Sequence, residues 1–159
     1  MKELTLSHVH ESIGGKMVDF AGYSMPVQYE GINAEHHTVR NKVGVFDVSH
    51  MGEIFIKGKN SLDFLQYVLS NDIAKLKPGK VQYAYMPNHE GGIVDDLLVY
   101  QIHHEVYMLV VNASNIEKDL KWLNQNNKLD VEISNESNDY SLLAIQGPQS
   151  IDLLQKLTD

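Results

Sequence analysis

Two carboxylates stand side by side at Asp95-Asp96, inside the run Gly91-Gly92-Ile93-Val94-Asp95-Asp96-Leu97-Leu98-Val99-Tyr100. The run is rich in β-branched and aromatic residues and follows a Gly pair, which predicts a strand entered from a turn. Strand side chains alternate, so Val94, Asp96 and Leu98 share one face, and Ile93, Asp95, Leu97 and Val99 share the other. The two acids therefore point apart and do not chelate one metal together. Both faces are mainly apolar, the pattern of a strand covered on both sides. An unpaired carboxylate buried in such a strand is costly or takes up a proton. Two readings are open: a partner such as a ligand amine offsets that cost, or one Asp caps a turn while the other reaches water at a sheet end.

A second group of reactive residue types lies in Val43-Gly44-Val45-Phe46-Asp47-Val48-Ser49-His50-Met51-Gly52-Glu53. Asp47, Ser49 and His50 are the residue types of a hydrolytic triad. They are crowded within a few positions, and no nucleophile elbow surrounds Ser49. A packed crossover between two layers is the expectation for this stretch. His36-His37 invites a metal reading, but adjacent helical side chains diverge by about 100° and form no chelating pair. Cysteine is absent, which excludes disulfides, thiol nucleophiles and thiolate metal sites from this chain.

The 159 residues fit one ordinary domain, or one small domain with part of another. A net charge of −8 and the lack of a basic run argue against nucleic-acid binding. Lys75, Lys77 and Lys80 around Pro78-Gly79 read as a solvated loop. Met1 to Gly15 has no signal-peptide core, and no later run reaches membrane-spanning length. No membrane association and a cytoplasmic setting are the expectations.

The elements that must position these residues follow from periodicity. Met1 to Gly15, with His8 and His10, reads as a polar surface segment. Val18 to Tyr29 favours strand but is interrupted by Gly22 and Pro26, which predicts an edge strand or ordered loop. Asn33 is expected to cap a short helix reaching Lys42. Glu53 to Lys57 alternates as a strand. A helix from Asn60 or Ser61 to about Ser70 buries Leu62, Leu65, Val68 and Leu69. Val81 to Met86 is a strand, and Pro87 to Gly92 turns into the strand that holds Asp96. After a turn at His103-His104-Glu105 comes a strand, Val106 to Val111. Ser114 and Glu117 form a capping box for a helix carrying Ile116, Leu120 and Leu123. Leu129 to Ile133 and Tyr140 to Ile145 are the remaining strands, and Pro148 sits in the first turn of a last helix. This order predicts an α+β chain: a ferredoxin-like βαβ–βαβ mixed or antiparallel sheet with helices on one face, with part of a second domain.

Several of these stretches resemble one family. Lys16-Met17-Val18-Asp19-Phe20-Ala21-Gly22-Tyr23-Ser24-Met25-Pro26 and Gly44-Val45-Phe46-Asp47-Val48-Ser49-His50-Met51-Gly52 resemble signatures of the aminomethyltransferase (T-protein) of the glycine cleavage system. So do Gly91-Gly92-Ile93-Val94-Asp95-Asp96-Leu97 and Ala144-Ile145-Gln146-Gly147-Pro148, in the family's order and at its spacing. The resemblance implies three domains in a cloverleaf around tetrahydrofolate. Residues 52–134 would form the ferredoxin-like second domain, and residues 1–51 with 135–159 part of a Greek-key-like first folate-binding domain. It also implies that the chain is an N-terminal piece, inactive in isolation, with further folate contacts beyond Asp159.

Carried over by position, Asp96 matches the family's essential aspartate, Tyr83 and Asn112 match folate-contacting positions, and Met51 lies near the same pocket. Their chemistry suits these roles: Tyr83 offers a stacking face and a hydroxyl, and Asn112 an amide that both donates and accepts. The implied reaction is that of a transferase in glycine catabolism. The aminomethyl group passes from the lipoyl arm of the H-protein to tetrahydrofolate, ammonia leaves and 5,10-methylenetetrahydrofolate forms. The alternatives are a folate-binding domain of a related demethylase or iron–sulfur maturation protein, and a ferredoxin-like module without catalysis. No flavin-binding Gly-rich fingerprint is present.

Overall fold

The computed structural model describes residues 1–158. In chain order its strands are β1 (Lys2–Glu3), β2 (Met17–Phe20), β3 (Tyr23–Pro26), β4 (Gly44–Asp47), β5 (Gly52–Lys57), β6 (Val81–Pro87), β7 (Ile93–His103), β8 (Val106–Val111), β9 (Glu132–Asn135) and β10 (Leu143–Gln146). Its helices are α1 (Ser7–Ser12), α2 (Ile32–Asn41), α3 (Ser61–Val68), α4 (Ile116–Asn126) and α5 (Ser150–Leu154). Two units separate: residues 1–50 with 141–158, and residues 51–140.

In the first unit, the run that Gly22 and Pro26 interrupt is a hairpin. Ala21 and Gly22 take φ of 52° and 84°, the left-handed pair that a two-residue turn between twisted strands requires. β1 adds in parallel to β3 through Lys2↔Tyr23 and Glu3↔Ser24 only. Pro26, further along β3, therefore faces no β1 partner, and its missing N–H breaks no ladder there. The N-terminal segment is largely exposed, as expected of a surface stretch, but His10 on α1 is buried. Its Nε2 lies 2.9 Å from Asp47 Oδ2, and its Nδ1 lies 2.8 Å from the Tyr29 hydroxyl. Asn33 does not cap α2, which begins after Gly31. The Glu35 carboxylate instead accepts from the Tyr29 and Gly31 N–H groups at 2.7 and 2.9 Å, satisfying donors at the helix entry from inside the first turn. β4 pairs antiparallel with β10.

The second unit is a five-stranded sheet in the order β6-β7-β8-β5-β9, every neighbouring pair antiparallel. Setting aside edge strand β6, the sequence β5-α3-β7-β8-α4-β9 with strand order β7-β8-β5-β9 is the ferredoxin-like arrangement. The sheet is thus wholly antiparallel rather than mixed. Alternation puts Ile54, Ile56, Leu97, Val99, Leu109 and Val111 on one face, where they form a single core with Phe64, Leu65 and Val68 of α3 and Leu123 of α4. Each such side chain, fully buried, contributes roughly 1.5–3 kcal/mol. The predicted capping box at Ser114 and Glu117 is not made: Asn115 precedes α4 and no side chain caps it. β9 begins three residues later than Leu129, and Val131 just before it is buried in the core.

Candidate functional site

β7 alternates as its sequence requires, and this separates the two acids. Asp95, Leu97 and Val99 are buried on the helix side, while Asp96 and Leu98 are only half-buried on the other; Val94, skipped at the register shift between Met86 and Pro87, packs against the helix-side core. The expectation of cover on both faces thus fails for the outer one. Register then defines rows across that outer face. Tyr83 pairs with Leu98, Leu98 with Val110, and Val110 with Glu53, which makes one row. The next row outward holds Tyr85 opposite Asp96. Carrying the same register two residues further along β8 sets Asn112 beside Asp96. Met51, immediately before Gly52 of β5, falls at the far end of that row.

Three of the four residues singled out in the sequence are joined by hydrogen bonds. The Tyr83 hydroxyl donates to Asp96 Oδ2 at 2.7 Å. Asn112 Nδ2 approaches Asp96 O at 3.1 Å, Asp96 Oδ1 at 3.3 Å and Asp95 Oδ1 at 2.9 Å. All these neighbours accept, so the amide nitrogen points inward. Among the described residues nothing donates to Asn112 Oδ1, so that acceptor is open. The bond to Asp96 raises the pKa of the Tyr83 hydroxyl, so this phenol keeps its proton and serves as a donor. Tyr83 and Tyr85 meet edge to face with ring centres 5.4 Å apart, and both rings are exposed. Met51 is half-buried and takes no part in this bonding.

Beneath Asn112, on the helix side, lies a polar layer that the sequence reading did not assign. Asp95 Oδ1 accepts from Asn115 Nδ2 at 2.7 Å as well as from Asn112, and Asp95 Oδ2 accepts from the Asn112 backbone N–H at 3.3 Å. Asp119 of α4 reaches the same carboxylate. Burial pushes Asp95 upward, but the bonds from Asp119, Asn112 and Asn115 outweigh it and hold the group below its ordinary range. Asp119 goes the other way: burial, then the neighbouring Asp95, push it up to about 8. A visible signal existed for it, since Asp119 lies three residues after Ile116 and four before Leu123, on the apolar stripe of its helix.

The other reactive stretches resolve differently. Asp47, Ser49 and His50 do not assemble a triad. Asp47 holds His10 and accepts from the Ser49 N–H at 3.0 Å, the Ser49 hydroxyl approaches Leu142 O at 3.4 Å, and the His50 ring packs edge-on against Phe20. A cleft of about 630 Å³ in the first unit is lined by Val27, Ile32, Glu35, His36, Val45 and Phe46 among others. Its one acid of the first turn of α2, Glu35, is engaged by backbone N–H groups, and none of the four candidate residues borders it. No group of three or more His, Cys, Asp or Glu residues is placed to hold a metal ion among the described residues. No helix among them is long and apolar enough to cross a membrane.

A ferredoxin-like sheet carrying an acid–amide–phenol cluster on its open face is the class that fold and site define. Residues 6–159 match the model of the GCVT N-terminal domain, and the chain belongs to that family. It is 61% identical over 158 residues to the aminomethyltransferase of Flavobacterium psychrophilum, covering 99% of this chain and 44% of that relative. It is 57% identical to the aminomethyltransferase of Bacteroides fragilis, covering 100% of this chain and again 44% of the relative. The crystal structure of glycine cleavage system aminomethyltransferase T from Bartonella henselae superposes with a TM-score of 0.86 at 36% identity, over 98% of this chain and 43% of that one. The chain thus spans less than half the length of the relatives it matches.

Proposed function

We propose that this chain supplies the acid-bearing half of a tetrahydrofolate-dependent aminomethyltransferase, with Asp96 as its catalytic carboxylate. The observation that carries this reading is the Asp96 side chain. It stands on a half-open sheet face and is oriented from two sides, by the Tyr83 hydroxyl at 2.7 Å and by Asn112 Nδ2 at 3.3 Å. Family membership and the aminomethyltransferase relatives support it. In this reading the aminomethyl group comes from the lipoyl arm of an H-protein, its carbon–nitrogen and carbon–sulfur bonds break to release ammonia and the dihydrolipoyl arm, and 5,10-methylenetetrahydrofolate forms in glycine breakdown. No nucleic acid or membrane takes part.

The residues present fit a reduced folate. A pterin offers ring donors that Asn112 Oδ1 can accept, and the exposed Tyr83 and Tyr85 rings offer aromatic surface beside the acid. Met51 would add a polarizable wall to the same row. When bound, the folate supplies the nitrogens that take up the one-carbon unit. The protein's part is to hold those nitrogens against Asp96, whose negative charge stabilises the positive charge that develops as the carbon–nitrogen bond to ammonia breaks. Fixing both substrates in one orientation lowers the barrier further. Tyr83 and Asn112 prevent Asp96 from swinging away, so its charge is in place before the reaction begins.

The test is Asp96→Asn in the full-length protein, assayed for ammonia release with aminomethylated H-protein and tetrahydrofolate. The amide keeps the shape and loses the charge. Turnover is expected to fall by at least about 100-fold, the typical effect of deleting one preorganised electrostatic group, while folate affinity changes little. Wild-type turnover in the variant would remove Asp96 from the reaction.

A further inference from the structure

Asp119 is fully buried, and among the described residues no donor group gives a hydrogen bond to either of its side-chain oxygens. Asp119 lies one helical turn beyond Asn115, whose Nδ2 donates to Asp95 Oδ1 at 2.7 Å, so the start of α4 sets its carboxyl toward Asp95, which is itself nine-tenths buried. Two ionised carboxylates in that position would repel each other with no water to screen them. One shared proton removes the conflict: a protonated Asp119 is the missing donor, and Asp95 is the acceptor. Asp95 stays anionic because Asn112 and Asn115 also donate to it. The consequence reaches the outer face. Asn112 Nδ2 has acceptors in Asp95 Oδ1 and the two Asp96 oxygens, and this arrangement turns Asn112 Oδ1 outward.

We infer that Asp95 and Asp119 form a proton-sharing positioning pair that fixes the orientation of the Asn112 amide, and that reduced-folate affinity depends on Asp119 keeping its proton. The second clause rests on the folate reading given above; the first does not. The charged groups acting on Asp119 are Asp95 from β7 and its own neighbour Lys118 on α4, whose ammonium is held at Val94 O. Loss of the Asp119 proton would set two anions against each other. Asp95 would move off, and Asn112 would lose the shortest of the three contacts that fix its amide.

The experiment uses the full-length protein with ¹⁵N-labelled asparagine, and three forms: wild type, Asp119→Asn and Asp119→Leu. Asparagine replaces the protonated acid with an uncharged N–H donor of the same shape, whereas leucine removes the donor. The Asn112 side-chain amide signals are followed from pH 6 to pH 9.5, and tetrahydrofolate binding is titrated anaerobically at both ends. In the wild type the Asn112 amide is expected to shift with a midpoint near pH 8 and to lose exchange protection above it. Folate affinity is expected to fall about tenfold over the same range. Asp119→Asn should abolish both pH effects and keep low-pH affinity within about twofold. Asp119→Leu should lose Asn112 protection at every pH.

An Asn112 signal that titrates identically in Asp119→Asn, or stays protected in Asp119→Leu, overturns the pair. If the Asn112 signals behave as expected but tetrahydrofolate does not bind the wild type, the pair stands and the folate reading fails. Binding that is insensitive to pH while the amide titrates overturns the link between them.

Discussion

Glu53 allows the physical reasoning to be tested without any ligand. It is 1% exposed, and among the described residues no group donates to either carboxylate oxygen. Its backbone is satisfied, with its N–H donating to Ser137 Oγ at 3.0 Å and its carbonyl accepting from the Glu136 N–H at 2.9 Å, so the side chain alone is unmatched. Burial pushes this carboxyl from 4.5 up to about 7. The sign follows from linkage. Between those two values the folded state binds more protons than the unfolded chain, so stability falls as pH rises through the window and stays reduced above it. The full effect of a carboxyl raised from 4.5 to about 7 is about 3 kcal/mol.

Glu53→Gln keeps the shape and abolishes the titration. Urea unfolding of the variant and the wild type at pH 4 and at pH 8.5 gives two stability differences, and groups common to both proteins cancel between them. The variant is expected to gain about 3 kcal/mol on the wild type as pH rises from the first value to the second. With a denaturant slope of about 2 kcal/mol/M, the two midpoints then separate by an additional ~1.5 M. A difference between variant and wild type that is the same at both pH values would show that Glu53 is not held neutral by burial.

Three further outcomes are expected. Tyr83→Phe removes the hydroxyl that donates to Asp96 at 2.7 Å, and turnover should fall about tenfold, the effect of one charged hydrogen bond of about 1.5 kcal/mol, with the thermal midpoint little changed. His10→Leu removes both bonds of the Asp47–His10–Tyr29 chain and leaves Asp47 with only its Ser49 partner, so it should cost about 1.5–3 kcal/mol in denaturant melts. For Asp47 itself, the bonds from Ser49 and His10 outweigh burial and lower its pKa, so its contribution to stability is present above its ordinary 3.8 and is lost as pH falls through the lower folded value. Gly147→Ala should destabilise the first unit by more than about 2 kcal/mol, because φ is 126° and a Cβ would meet the Lys42 carbonyl oxygen at 2.5 Å and that of Val39 at 2.8 Å. A thermal melt unchanged by that substitution would contradict the close packing of the segment before α5 on the end of α2.

What could be read in the sequence and what could not are separated by the range of the interactions. Strand alternation is a local property, so the run around Asp95 and Asp96 announced both its strand and the opposite aims of its two acids, and β7 has them as read. The turn residues Gly91 and Glu105, at φ of 82° and 61°, likewise bound β7 and β8 where Gly-Gly and His-His-Glu suggested. Local signals failed where a distant partner outbid them. Ser114 and Glu117 have the spacing of a capping box, but the chain before α4 turns so that Asn115 can give its amide to Asp95, twenty residues away in sequence. His10 looked solvated because its neighbours are polar, yet Asp47 lies thirty-seven residues on and draws it inside.

The same rule explains the candidate site. Asp96 was visible because a carboxylate in an apolar strand is anomalous on its own. Asp119 was an equal anomaly, an acid on the buried stripe of α4, but a helix read by its apolar residues alone treats such an acid as noise. Its meaning appears only when β7 supplies Asp95 opposite it, since one buried carboxyl calls for a cation whereas two call for a proton. Periodicity should therefore be read for its exceptions: an acid at a core position of a helix and an acid at a core position of a strand, in the same sheet-and-helix layer, are each other's first candidates as partners. Glu53, on a row with Val110 and Leu98, has neither a cation nor a second carboxyl to meet it among the described residues, so burial alone holds its proton. Its titration and that of Asp119 should then be independent, so a Glu53→Gln, Asp119→Asn double variant should change stability by the sum of the two single changes within about 0.5 kcal/mol.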